Sequence, residues 1–168
     1  MELGFSTIGF GVDPDDLKAL GPRLEAAGYD SVWTAEAWGS DAITPLAFLA
    51  ATTTNLKLGT AIAQIWARTA GATAMTALTL QQLSKGRLQL GLGVSGPQVV
   101  EGWHGVAYRR PLATTRDYIA ILRQALAAEE KVVYEGSQLQ VPYKGEDATG
   151  QGRPLRSGQP GAPDTPIY

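Results

Sequence analysis

The run Gly91-Leu92-Gly93-Val94-Ser95-Gly96 fits G-x-G-x-x-G, the pattern that brings bare backbone up to a dinucleotide pyrophosphate at a helix N-terminus. That chemistry needs the third glycine to open a helix within a βαβ unit. Here Pro97-Gln98-Val99-Val100-Glu101-Gly102-Trp103 reads as a loop or short turn, and the run follows a fourth strand. Asp117, roughly 20 residues on as the fingerprint asks, falls in the first turn of a helix. The dinucleotide reading is therefore set aside. Hydrolytic chemistry fares no better. His104 is the only histidine, and Gly93-Val94-Ser95-Gly96-Pro97 lacks the closing glycine of a nucleophile elbow. With no cysteine, disulfides, thiolate nucleophiles and zinc-cysteine sites are excluded, and one histidine excludes every two-histidine motif, so no metal site is expected. Arg109, Arg110 and Arg116 suit capping and surface roles, contact with an anionic cofactor tail being the alternative.

Composition gives the chain ample apolar material for a core, with one domain as the default. The chain has 168 residues, 44% of them hydrophobic and 18% charged, the balance of an ordinary globular domain. A net charge of -2 with scattered Lys and Arg gives no basic stripe for nucleic acid or anionic lipid. No apolar run reaches the ~18 residues a membrane span needs, and the N-terminus lacks a secretory pattern, so a cytoplasmic location is expected.

The elements that must position any site alternate β-type runs with longer helical patterns, the mark of a parallel α/β sheet. Four βα units can be counted. Residues 3–9 form the first strand. Asp13-Pro14-Asp15-Asp16 then supplies a cap, a first-turn proline and acids at the positive helix end, with Leu17, Leu20, Leu24 and Ala27 on one face and Gly28 as the stop. Residues 31–35 form the second strand, and Thr44-Pro45 gives a second cap-plus-proline start, with Thr44 as the cap, to a helix reaching about residue 54. Residues 57–62 form the third strand, followed by a helix over about 70–83 ended by Ser84-Lys85-Gly86. Residues 87–94 form the fourth, and after a long loop a helix spans about 113–129, with Tyr118, Ile121, Leu122, Ala125 and Leu126 buried.

Beyond it the pattern changes. Residues 131–134 and 139–141, separated by Glu135-Gly136-Ser137-Gln138, predict a β-hairpin. Residues 144–168 hold five glycines and four prolines, too much punctuation for a helix or strand, and only Pro166-Ile167-Tyr168 hints at a new strand. The expected organisation is thus a half-barrel over 1–130, a hairpin insertion over 131–143, and an extended loop over 144–168. A (β/α)8 barrel takes about 250 residues, so four units account for about half of one. Four parallel strands alone leave two open edges, which a fragment's missing half, a second copy or another partner would close. A complete open four-stranded domain is the alternative.

Three stretches at strand ends carry a resemblance: Ser31-Val32-Trp33-Thr34-Ala35-Glu36-Ala37-Trp38-Gly39-Ser40-Asp41, Leu58-Gly59-Thr60-Ala61-Ile62-Ala63-Gln64, and the residues from Gly86 through the glycine run to Trp103. They resemble the luciferase-like superfamily, particularly its deazaflavin-dependent branch that uses coenzyme F420. The resemblance implies the N-terminal half of a TIM (β/α)8 barrel, with the active site on loops at the C-terminal strand ends. It implies a deazaflavin, or alternatively flavin mononucleotide (FMN), lying across the barrel mouth, with hydride passing between its central ring and a small organic substrate. An FMN-dependent monooxygenase using molecular oxygen is the alternative activity. A non-catalytic half-barrel that needs dimerisation or a partner is the alternative of another class.

On the same resemblance, Glu36 is expected as a general acid, base or substrate-orienting carboxylate, the alternative being a solvated loop acid. Trp38 is expected to act beside it as a pocket wall with an available indole N–H; a core tryptophan capping the barrel would read the same. Residues Thr60 to Gln64 match the strand-three region where family members carry a bulge with a cis peptide behind the ring, and Ala61, Ile62, Ala63 and Gln64 are expected to bind the cofactor. Val94, Ser95 and Gly96 are expected at the ring edge, and Gln98, Glu101 and Trp103 at the substrate pocket. Asp41 reads as a loop or helix-start residue. The cofactor's phosphate is expected to be gripped by the loops after strands five to eight of such barrels, and self-association, as a homodimer or otherwise, is expected.

Overall fold

The computed structural model describes residues 2–8 and 13–168; Gly9, the expected end of the first strand, lies outside the described residues. The elements in chain order are β1 (Gly4–Ser6), α1 (Pro14–Ala26), β2 (Ser31–Thr34), α2 (Thr44–Thr52), β3 (Lys57–Thr60), β4 (Ala63–Gln64), α3 (Ala70–Ser84), β5 (Leu88–Gln89), β6 (Leu92–Gly93), α4 (Pro97–Val100), α5 (Pro111–Ala127), β7 (Tyr134–Glu135) and β8 (Gln140–Val141). They fall into two compact units, one of Met1–Gln64, Thr79–Ser95 and Thr165–Tyr168, the other of Ile65–Leu78 and Gly96–Asp164.

In the first unit β1, β2, β3 and β5 form a parallel sheet in that order. Register explains its two faces. Phe5, Val32, Leu58 and Leu88 stand in one row across the strands, and the last three are fully buried. One residue along, Ser6, Trp33, Gly59 and Gln89 make the opposite row, because side chains alternate faces along a strand. Gly59 leaves the room the Trp33 indole occupies: a Cβ there would sit 2.2 Å from Trp33 Cε3. Trp33 donates to Ser31 Oγ at 2.9 Å and meets the Tyr168 ring edge-on at 6.0 Å. The hint of a strand at 166–168 is realised as a parallel bridge between Ile167 and Leu90, with Tyr168 N donating to Leu90 O.

Helix α1 starts where its cap places it. The Asp13 carboxylate accepts the N–H groups of Asp15 and Asp16, and Gly28, at φ 81°, turns the chain away beyond its end. Helix α2 is capped differently from expectation. Thr44 makes no cap hydrogen bond; Asp41 takes that role, its Oδ1 accepting Ile43 N and Thr44 N, both at 2.8 Å. Gly21 lets α1 approach the end of α2 closely, since a Cβ there would lie 2.5 Å from Thr53 Cγ2.

Strands three and four are each interrupted. The expected run over 57–62 ends at Thr60, the Ala61–Ile62 peptide is cis, and the chain resumes as β4. The run over 87–94 splits into β5 and β6 around Gly91. Thr60 explains the matched breaks: its Oγ1 donates to Gly91 O at 2.7 Å and accepts Gly91 N at 2.9 Å. Gly91 can carry no side chain, because a Cβ would fall 1.9 Å from Thr60 O. Past the interruption β4 and β6 pair in parallel, Ala63 with Leu92 and Gln64 with Gly93.

The second unit is built on α5. Tyr118, buried on its inner face, shares a hydrogen bond with Thr73 Oγ1 and donates to Arg68 O at 3.2 Å. A short antiparallel hairpin, β7–β8, pairs Tyr134 with Val141 and Glu135 with Gln140, so Glu135 lies in the strand rather than in the expected turn, and residues 131–133 stay outside it. It is held by Asp117, which is 5% exposed. That carboxylate accepts the Tyr134 hydroxyl at 3.0 Å and the N–H groups of Gln138 and Leu139 at 2.6 and 3.0 Å. Among the described residues no helix is long and apolar enough to cross a membrane, and no cluster of potential metal ligands occurs.

Candidate functional site

Parallel α/β sheets present their loops and free backbone groups at the C-terminal strand ends. In the first unit these ends carry residues 35–43 after β2, 61–64 after β3 and 91–95 after β5. Glu36 stands where the first two meet. Its N–H donates to Ile62 O at 3.3 Å, its Oε1 accepts Gln64 N at 2.7 Å and its Oε2 accepts Ala42 N at 3.1 Å. Gln64 reciprocates: its Nε2 donates to Glu36 O and Ala37 O, each at 3.2 Å. Thr34 adds a bond from its Oγ1 to Ala42 O. Residues 36–42 are thus fastened at both ends, and Trp38 projects between the fastenings with 66% of its surface exposed. It is not a core tryptophan.

Ala61 is exposed, and Ile62, Gly93 and Val94 are partly so, whereas Ala63 and Gln64 are buried. Ile62 lies over Gly93, where a Cβ would come within 2.8 Å of Ile62 Cγ1. These residues carry no charge, and next along the chain Ser95 holds a left-handed backbone at φ 54°. Beside the same loop, a cleft of about 480 Å³ is lined by Leu17, Ser40, Asp41, Pro45 and Phe48 among others, so the Asp41 cap also shapes its wall.

The remaining expected residues, Gly96, Gln98, Glu101 and Trp103, belong to the second unit. Gln98 folds its amide back against Gly96, Glu101 accepts Tyr108 N at 3.2 Å, and Trp103 is 65% exposed at the end of the turn after α4. His104 is no solvated loop base: its Nε2 is enclosed and has no partner among the described residues. Sequence reasoning placed Thr34 and Thr60 in the resembling stretches but gave neither a role of its own. Thr60 acts through Gly91, 31 residues on, and Thr34 through Ala42, eight residues on, and threonine in a strand carries no local sign of either role.

Comparison with known proteins shows the family and the fold. The chain is 51% identical over 157 residues to the putative coenzyme F420-dependent oxidoreductase Rv3520c of Mycobacterium tuberculosis, covering 93% of this chain and 45% of that protein. The chain therefore spans less than half the length of this relative. Its fold matches the monooxygenase RslO1 of Streptomyces bottropensis with a TM-score of 0.80 at 21% identity, over 99% of this chain and 52% of the other. It also matches the oxygenating constituent of 3,6-diketocamphane monooxygenase from Pseudomonas putida, solved with FMN, with a TM-score of 0.76 at 21% identity, over 99% and 50% of the two chains. Covering about half of such barrels, the four-unit parallel sheet is the N-terminal half of a TIM barrel fold. The family model for luciferase-like monooxygenases matches residues 2–168, and the chain belongs to that family.

Proposed function

We propose that the chain supplies the ring-binding half of a deazaflavin-dependent oxidoreductase, one that passes hydride between coenzyme F420 and a small organic substrate. The 51% identity to a protein named for F420 carries this reading. Ala61, Ile62, Ala63 and Gln64 are proposed to back the ring, with Val94, Ser95 and Gly96 at its edge. When bound, the deazaflavin supplies a hydride-accepting and hydride-donating carbon in its central ring. The protein's own contribution is then to bind and orient. Ala61 and Ile62 keep water off one face of the ring, and the Ser95 hydroxyl offers a hydrogen bond at its rim. Trp38, exposed on a loop fastened at both ends, is proposed to stack against the substrate, with Gln98, Glu101 and Trp103 as pocket residues.

FMN is the second reading of the cofactor, favoured by the fold it shares with an FMN-bound monooxygenase. Self-association is proposed as well, because among the described residues β1 pairs only with β2 and offers a second edge to another strand. Fluorescence titration of the purified chain with F420 and with FMN tests the assignment. F420 is expected to bind the more tightly. Failure to bind either at about a hundred micromolar, some 5 kcal/mol of binding, removes this reading for the chain.

A further inference from the structure

Gln64 is 1% exposed, and its Oε1 is enclosed with no hydrogen-bond donor among the described residues. Interiors normally pair such atoms, and a methionine of similar volume would avoid the cost of an unpaired one. The amide's other end is fully used: Nε2 donates to the carbonyls of both Glu36 and Ala37. A residue that breaks a packing rule on one side to make two bonds on the other points to a function for those bonds. They fall on the first two residues of the loop that carries Trp38. Glu36 returns the contact through Gln64 N, and its second carboxylate oxygen ties the far end of the loop at Ala42.

Resting on the proposed role of residues 61–64 behind the ring, we propose that Gln64 is a positioning residue. Its side-chain amide and the Glu36 carboxylate form a reciprocal latch that holds the 36–42 loop against the ring-backing segment. On this assignment Glu36 works through two backbone N–H groups, as the latch's other half, and not by exchanging a proton with substrate.

The test uses the whole chain and three variants: Gln64→Met, which keeps volume and removes both donors, Glu36→Gln, and Arg87→Ala as a destabilised control away from these strand ends. Amide hydrogen exchange over residues 37–42 is expected to accelerate about tenfold in Gln64→Met beyond any change in Arg87→Ala, and the dissociation constants of F420 and FMN to rise several-fold. The double variant Gln64→Met/Glu36→Gln is expected to lose less than the sum of the singles. Should Gln64→Met fail to fold, NMR of the unmodified chain decides. The Gln64 side-chain amide protons are expected to exchange slowly and to shift on cofactor addition, and free exchange would overturn the latch. Unchanged exchange in Gln64→Met, or cofactor affinity reduced no more than in Arg87→Ala, would also overturn it while leaving the cofactor reading intact. Absence of cofactor binding by the unmodified chain would instead remove that reading.

Discussion

Arg87 and Glu25 close the turn between α2 and β3 from two directions. Glu25 Oε1 accepts the N–H groups of Thr54, Asn55 and Leu56 at 2.5–2.8 Å. Arg87 donates to the carbonyls of Ala50, Thr53 and Leu56 and to Thr53 Oγ1 at 2.8–3.1 Å. Burial pushes the Glu25 carboxyl up, but three N–H donors and the Arg87 charge outweigh it and hold the group below its usual range. This turn lies at the N-terminal end of its strand, where barrel residues serve stability rather than chemistry.

Substitutions here are expected to act on stability alone. Arg87→Ala should cost about 2–3 kcal/mol in urea unfolding, and Arg87→Lys less, since an ammonium group cannot fork among four acceptors. Because Glu25 is depressed in the folded state, its contribution is complete above its unfolded value of about 4.3 and fades as pH falls through the folded one. Glu25→Gln is expected to flatten that acid limb. An unchanged acid limb in Glu25→Gln would discount the assignment.

Asp117 sets a second acid-sensitive element. Burial raises its carboxyl, while the N–H groups of Gln138 and Leu139 and the Tyr134 hydroxyl together lower it by more, leaving it below the ordinary aspartate value. The hairpin's anchorage should therefore be whole above about pH 3.9 and weaken below, as protonation removes the acceptor. Asp117→Ala is expected to cost about 2–3 kcal/mol and to release the 134–141 hairpin to rapid amide exchange. The Tyr134 hydroxyl, raised by its bond to Asp117, should titrate in ultraviolet absorbance above an ordinary tyrosine and fall back in Asp117→Ala, which removes the acceptor.

Gly59→Ala is expected to destabilise by about 1–3 kcal/mol, because its methyl would enter the Trp33 ring. Gly91→Ala should cost more, since the obstacle is the Thr60 carbonyl, which cannot rotate away as a side chain can. Thermal melts of the two variants give the order directly.

Trp38→Ala should leave unfolding free energy within about 0.5 kcal/mol, as expected of an exposed loop side chain. On the proposed function it should raise the apparent KM of the whole oxidoreductase several-fold. A matching loss of stability with no kinetic change would contradict the loop geometry.

Local chemistry accounts for what is legible in the sequence. Asp13-Pro14-Asp15-Asp16 encodes its own helix start, and the alternation of strands and helices encodes a parallel sheet. A turn, too, is legible in Gly136-Ser137-Gln138, although Glu135 before it pairs in the strand. What escapes a sequence reading is set by partners distant along the chain. Thr60 and Gly91 break strands three and four together, yet each run, taken alone, is a continuous strand pattern. Asp41, which caps α2, is recognisable only as a helix-start residue, while the more conspicuous Thr44 makes no cap bond. At the candidate site, residue types are readable and their engagement is not: nothing local tells that Glu36 commits both oxygens to backbone, or that Gln64 pairs only one end of its amide.

The bridge between Leu90 and Ile167 has a consequence for the order of folding. β1, β2, β3 and β5 each pair across one helix and its loops, whereas Ile167 must find Leu90 after the whole stretch 91–166. Loop-closure entropy rises slowly with length, but it must be met before a single bridge can offset it. Ile167 and Tyr168 are accordingly expected to join the sheet last and to leave it first, so exchange of the Tyr168 amide should report the earliest opening of the sheet.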